Sequence, residues 1–192
     1  MTGALKTGIL VFVALFIVTG ILYPLAVTVV AELAFPATAH GSLLRDDTGQ
    51  VLGSALIGQN FSSPRYFQGR ISATGGWPYN PAQSAGSNLG PTNPVLIERI
   101  NASVQLLRTQ GTESPIPIDL VTASASGVDP HLSLDAALVQ VPAIARARGI
   151  PEEDLRTLVS AQVVMDPVPG HPSYVNVLRL NQALDLASGA GR

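Results

Sequence analysis

The hydrophobic pattern divides the chain into one unbroken apolar run and a longer region of short, changing periods. No residue from Thr7 to Ala31 is charged, and Gly8–Val30 forms an apolar run of 23 residues. At about 1.5 Å per residue, a helix of that length covers roughly 35 Å, enough to cross the hydrocarbon core of a bilayer. Pro24 lies inside the run. A membrane helix accommodates it with a kink, because neighbouring groups re-satisfy the freed carbonyl. Tyr23 beside it predicts a contact with another helix rather than with lipid tails. The alternative is a cleaved signal peptide: Lys6 gives a positive flank, and Ala37–Ala39 has the small-residue form of a cleavage site. The run is about twice the roughly 7–15 residues of a signal core, which favours an uncleaved anchor.

Beyond the anchor the periods shorten. "SLLR" and "QVLGSALIGQ" flank the turn sequence "DDTG" at Asp46–Gly49, which predicts a hairpin over 42–60. From Asn60 to Pro94 there is no helical or strand period, and Gly, Pro and aromatic residues dominate. Long irregular stretches in ordered domains usually serve binding. Phe61, Tyr66, Phe67, Trp77 and Tyr79 either pin this stretch to a core or form a contact surface.

"NPVLIERINASVQLLRTQG" predicts a helix with Asn93 as N-cap and Pro94 at its first position. Its apolar stripe is Leu96, Ile97, Ile100, Val104 and Leu107. "PIPIDLVTA" reads as a strand. Ser133 is a helix cap for "LDAALVQVPAIARARG", in which Pro142 marks a kink or a second start and Gly149 a stop. "IPEEDLRTLVSAQ" begins another helix, with Glu152 and Glu153 in the acidic first turn that helices favour. "SYVNVLRLN" alternates like a half-buried strand, and Asn181 caps a terminal helix. Helices and strands mix without a βαβ rhythm, which predicts an α+β domain rather than a doubly wound sheet.

Charge sets orientation. Lys6 precedes the span, whereas Glu32 follows it and Arg45 is balanced by Asp46 and Asp47. The positive-inside rule predicts a cytoplasmic N-terminus (1–7), a membrane helix (8–30), a linker (31–41) and an exported domain (42–192). Net charge is −2 and there is no Lys/Arg run, so the counterion-release term of nucleic-acid binding has no source. The absence of cysteine excludes disulfides and thiolate sites.

Candidate chemistry is sparse. Neither G-x-x-x-x-G-K-[ST] nor G-x-G-x-x-G occurs. "DDTGQ" lacks the Lys and the final Thr of the D-K-T-G-T phosphorylation motif and reads as a turn. His40, His131 and His171 are far apart, which argues against a metal site. Ser124, Ser126, Asp129 and His131 fall within eight residues, but triads form through tertiary geometry, and no nucleophile-elbow motif is present. Asp129–Pro130 has turn chemistry. "SAGSNLGPTNP" (84–94) contains no cation, and Pro94 removes one N–H from the helix start it feeds. It is expected to be a shaped structural or partner-facing loop rather than a phosphate cradle, with Asn88, Asn93 and Pro94 ordering its exit.

The anchor followed in order by "YFQGR", "GSNLGPTNP", "DLVTASASGVDPHLS", "QVPAIARARG" and "VNVLRLNQALD" resembles the C subunit of the Kdp-type potassium-transporting ATPase. The resemblance spans nearly the whole chain. It departs at Ile71, where the family often has Pro, at Ala125, where Gly is common, and across Ser160–Tyr174. It implies a subunit, not catalytic by itself, of an ATP-driven potassium importer in the cell inner membrane. The implied partners are a channel-like subunit, a phosphorylated P-type ATPase subunit and a small membrane subunit. The implied role is assembly of the ion-carrying and pumping subunits, with the exported domain beside the ion entrance. The family is also described as a catalytic chaperone that raises the pump subunit's affinity for ATP. No tightly bound cofactor is implied; ATP would be held in a ternary complex with the pump subunit, with Gln140 as the linked residue. From the residues alone, Gln140 reads instead as a helix amide capping backbone groups freed by Pro142. Tyr23, Pro24, Asn88, Asn93, Pro94, Asp129, Pro130 and His131 are expected in structural or partner contacts. A different class of reading is an anchored, exported hydrolase using Ser124 or Ser126 with His131.

Overall fold

The computed structural model describes residues 2–112, 115–165, 170 and 172–188. The chain forms two compact units, Met1–Leu43 and Leu44–Arg192.

The first unit is helical. α1 (Thr2–Ile17) runs through a π-helical turn (Val18–Leu22) into α2 (Tyr23–Ala34), and a short α3 (Pro36–Ala39) follows. The π turn ends immediately before Tyr23 and Pro24. Proline has no N–H and its ring crowds the carbonyl four residues back. Widening the preceding turn by one residue relieves both, and such bulges are a recognised source of helix distortion. The expected kink is thus a π turn. Gly3–Ala34 is long and apolar enough to cross a membrane, and none of its most apolar window is buried within the chain. Thr19 and Thr28 return their hydroxyls to the carbonyls of Leu15 and Pro24, at 2.8 and 2.9 Å. Neither leaves a bare polar group on the apolar surface.

The second unit is α+β. The predicted hairpin is present as β1 (Leu43–Arg45) and β2 (Val51–Ser54). Its turn is fastened by the Asp46 carboxylate, which accepts from the N–H groups of Thr48 and Gln50 and from the Thr48 hydroxyl. α4 (Pro94–Thr109) starts as predicted, with Asn93 Oδ1 accepting from Val95 N at 2.9 Å. Of its apolar stripe, Leu107 is buried and Ile100 and Val104 pack on the core, whereas Ile97 stays exposed.

β3 (His131–Ser133) feeds directly into α5 (Leu134–Arg148), capped by the Ser133 hydroxyl. α5 runs unbroken through Pro142 and stops at Gly149, whose φ of 70° suits the left-handed C-terminal position. α6 (Glu152–Ala161) and α7 (Val177–Ala187) complete the layer, and β4 (Tyr174–Asn176) pairs antiparallel with β3 in the register Leu132↔Val175.

The core lies among α5, α6, α7 and the β3–β4 ribbon, centred on Phe67, Leu132, Val141, Leu155, Leu180 and Leu184. Each such side chain contributes about 1.5–3 kcal/mol by leaving water.

Two expected elements differ. "PIPIDLVTA" is not a strand: Ile118–Leu120 is a 3₁₀ turn, and among the described residues its pairing is one bridge between Ala123 and Ile71. The prolines at 115 and 117 remove the ladder donors a strand would need. "SYVNVLRLN" yields three strand residues before α7 begins, and Asn176, not Asn181, is the cap, its Oδ1 accepting from Arg179 N at 3.1 Å. His171 and residues 166–169 of the divergent stretch lie outside the described residues.

Candidate functional site

The irregular segment 60–94 is ordered by what grips it. Phe67 is fully buried. Its N–H donates to Asn181 Oδ1 at 2.9 Å, and its carbonyl accepts from Asn181 Nδ2 at 3.0 Å. The next residue is held the same way from another helix. Gln68 N donates to Gln140 Oε1 at 2.8 Å, and Gln140 Nε2 donates to the carbonyls of Gln68 and Ala136, both at 3.1 Å. Two side-chain amides, one from α7 and one from α5, therefore stand in for neighbouring strands on two consecutive residues. Extended backbone entering a core needs such partners, since an unmet buried N–H costs about 1–3 kcal/mol. Gln140 does cap backbone, as its residue type suggests. The groups are those of Gln68 and Ala136, not the Leu138 carbonyl freed by Pro142.

A third tie involves residues that pattern reading passes over. Arg148, its side chain almost fully buried, sits 2.8 Å from Asp185 Oδ1 and donates from Nε to the Arg65 carbonyl at 2.6 Å. Its guanidinium lies 4.8 Å from the centre of the Tyr66 ring, and the Tyr66 hydroxyl donates to Asp185 Oδ2 at 2.9 Å. The bond to Asp185 is the leading cause that raises the Tyr66 phenol above its ordinary value, followed by burial. Nothing in local spacing marks this triangle, because its members come from three separated parts of the chain. Asn181 gave a misleading signal: at the start of "NQALDLA" it resembles a cap, yet it is 2 % exposed and points into the core.

Asp129, Pro130 and His131 form a second cluster. Asp129 Oδ1 accepts from His131 N at 3.0 Å and lies 3.5 Å from His131 Nδ1, while Oδ2 accepts from Arg70 at 3.2 Å. Burial would raise the Asp129 carboxyl; hydrogen bonds from the His131 ring and backbone, with the charges of Arg70 and His131, outweigh it and hold it below its usual range. The Pro130 carbonyl accepts from Val177 N at 2.9 Å, which fixes the start of α7. The His131 ring meets Tyr174 edge-on at 4.6 Å. Tyr79, with a φ of 59°, donates its hydroxyl to the Arg70 carbonyl, and burial followed by the nearby Asp129 charge pushes its phenol up to about 12.

The two serines are committed elsewhere. Ser124 Oγ accepts from Gly127 N at 2.9 Å and Ser126 Oγ accepts from Val128 N at 3.2 Å. Both are turn contacts of the type short hydroxyls make with their own backbone. Neither hydroxyl is hydrogen-bonded to His131, so these three residues form no nucleophile–base pair. Among the described residues, no group of three His, Asp or Glu could hold a metal ion.

The loop "SAGSNLGPTNP" packs by its first residues on the serine turn. Ser84 Oγ donates to the Ser126 carbonyl at 2.9 Å, and a Cβ on Gly86 would lie 2.9 Å from the Ala125 carbonyl. Glycine is required there by close approach. Asn88 is exposed with a φ of 51°, a left-handed position that asparagine tolerates. Asn93 and Pro94 then open α4. Among the aromatics, Phe67 and Tyr79 are buried, whereas Trp77 is 61 % exposed. In the helical unit, Tyr23 is 67 % exposed and Pro24 is exposed beside it.

Comparison with known proteins gives a consistent result. The family model described as "KdpC: K+-transporting ATPase, c chain" matches residues 5–186. A potassium-transporting ATPase KdpC subunit from Methanosphaerula palustris is 51% identical over 185 residues, covering 96% of this chain and 98% of the relative. Namesakes from Rhodopseudomonas palustris and Ralstonia nicotianae are 48% and 50% identical, covering 97% and 95% of this chain and 100% and 90% of the relatives.

Proposed function

The chain belongs to the KdpC family, the c chain of K+-transporting ATPases, and from that premise we propose that it assembles and stabilises the complex rather than performing a chemical step. It is a subunit of a potassium-transport complex. The observation that carries the assembly reading is where its polar motif residues are spent. Gln140, Asn181, Ser124, Ser126 and Asp129 are all bonded to the chain's own backbone. The apolar helical unit, by contrast, buries none of its most apolar window within the chain. A rigid domain on an apolar helix suits a part that joins others.

In this reading Tyr23 and Pro24 meet a membrane helix of the channel-like or pump subunit, with the small membrane subunit completing the complex. The helix crosses the inner membrane with its N-terminus inside, on the strength of Lys6, and the domain faces outward beside the ion entrance. The loop around Asn88 and the turn Asp129–His131 present fixed shapes to a partner. ATP remains with the pump subunit. For Gln140 to bind ATP directly, its amide would have to leave three backbone hydrogen bonds. Its influence on ATP affinity passes instead through the position of the segment around Gln68.

The test is co-purification. With this chain deleted, a tagged channel-like subunit is expected to lose the pump subunit in mild detergent, and the full chain supplied in trans restores the pair. Retention of the pump subunit at the wild-type ratio without this chain contradicts the proposal.

A further inference from the structure

We infer that the domain carries a binding site for a small apolar molecule bearing one anionic group, in a cavity of about 350 Å³ between α4, α5 and the segment around Gln68. Its walls are apolar: Leu107, Ile144, Ala147 and the ring of Tyr66. The volume sits at the lower end of the range for small-molecule sites, about 300–1,000 Å³. That size admits one ring or a short branched chain.

Thr112, Gln68 and Arg146 bring uncommitted polar groups to the cavity. Thr112 is only 8 % exposed, and its hydroxyl has no hydrogen-bond partner among the described residues. The side-chain amide of half-buried Gln68 likewise has none, although both of its backbone groups are engaged. Arg146 makes one long hydrogen bond, 3.4 Å, to the Gln110 carbonyl, and the rest of its donors have no partner among the described residues. Among the described residues, no Asp or Glu lines the cavity. Apolar walls with a few convergent polar groups are the general form of a ligand site. Among the described lining residues the one charge, on Arg146, is positive, and it selects an anion through a charge-assisted hydrogen bond. Gln140 also lines the cavity, but its amide is spent on backbone and takes no part in recognition.

The site does not depend on the assembly role and is tested on the full chain alone. The full chain in lipid nanodiscs would be titrated with para-fluorobenzoate, followed by fluorine NMR line broadening, with empty nanodiscs subtracted. Saturable broadening is expected. Arg146→Gln should weaken binding about tenfold, the loss of one charge-assisted hydrogen bond, and leave neutral para-fluorobenzamide unaffected. Ala147→Phe should abolish broadening by filling the cavity. Ala147 is exposed, so the fold should tolerate the larger side chain. Ala143→Leu serves as a second plug should Ala147→Phe fail to fold. Absence of saturable broadening up to millimolar probe overturns the inference. So does wild-type binding by a folded plug variant, or equal benzoate binding by Arg146→Gln.

Discussion

Replacing Gln140 by Ala separates a structural amide from a nucleotide ligand. The substitution removes three hydrogen bonds, of 2.8, 3.1 and 3.1 Å, made to the Gln68 N–H and to the Gln68 and Ala136 carbonyls. The Ala136 carbonyl keeps its helical bond. The Gln68 N–H and carbonyl lose their partners in a half-buried segment. At about 1–3 kcal/mol for a buried group left unmet, and less for one that water can reach, the loss comes to about 2–3 kcal/mol. For a domain of about 150 residues, each kcal/mol moves the midpoint by roughly 2–4 °C. Gln140→Ala is therefore expected to lower Tm by about 5–10 °C, measured by near-ultraviolet circular dichroism of the full chain in nanodiscs. Gln140→Glu keeps an acceptor for the Gln68 N–H but sets a carboxylate against two carbonyls. At neutral pH it should destabilise at least as much as Ala. If Gln140→Ala melts within 1 °C of wild type while the assembled complex needs more ATP for half-maximal turnover, the structural assignment is refuted.

Asn181→Ala, which strips both groups of the Phe67 peptide in a fully buried site, should cost about 3 kcal/mol in denaturant unfolding. Arg148→Met leaves Asp185 without its cation and frees the Arg65 carbonyl; about 2–3 kcal/mol is expected, with increased protease cleavage near residue 65. The Asp129 carboxyl is held low, so its stabilising share is present above the ordinary carboxylate value of about 4 and is lost as pH falls below it. The Tm gap between wild type and Asp129→Asn should be widest above pH 5 and close towards pH 3. Gly86→Ala drives a methyl onto the Ala125 carbonyl, and its Tm should fall while that of Gly90→Ala, where a Cβ meets nothing, stays near wild type.

Much of the local structure is legible because its causes are local. The apolar run, the Asp46 turn, the Asn93–Pro94 helix start, the Ser133 cap and the Gly149 stop each depend on neighbours within a few residues. The segment around Phe67 and Gln68 is not legible, because its partners lie 114 and 72 residues away. Asn181 misleads for the same reason: a polar residue at a helix start fits a cap, and only tertiary packing reveals that the cap lies five residues earlier. The continuous α5 through Pro142 shows packing overriding propensity. Buried Ala136, Ala137, Val141, Ile144 and Ala145 flank the proline on both sides, which offsets the lost ladder bond. The serines and His131 are close in sequence, and the geometry assigns each hydroxyl to its own turn.

The proposed assembly role requires the domain to lie away from the cytoplasm and from ATP. The chain has no cysteine, so Asp47→Cys, in the exposed turn of the β1–β2 hairpin, supplies a single thiol. Intact cells would be treated with a membrane-impermeant thiol reagent. Labelling before lysis, equal in extent to labelling after it, is the predicted result. Labelling that appears only after lysis would place the domain in the cytoplasm and contradict the account.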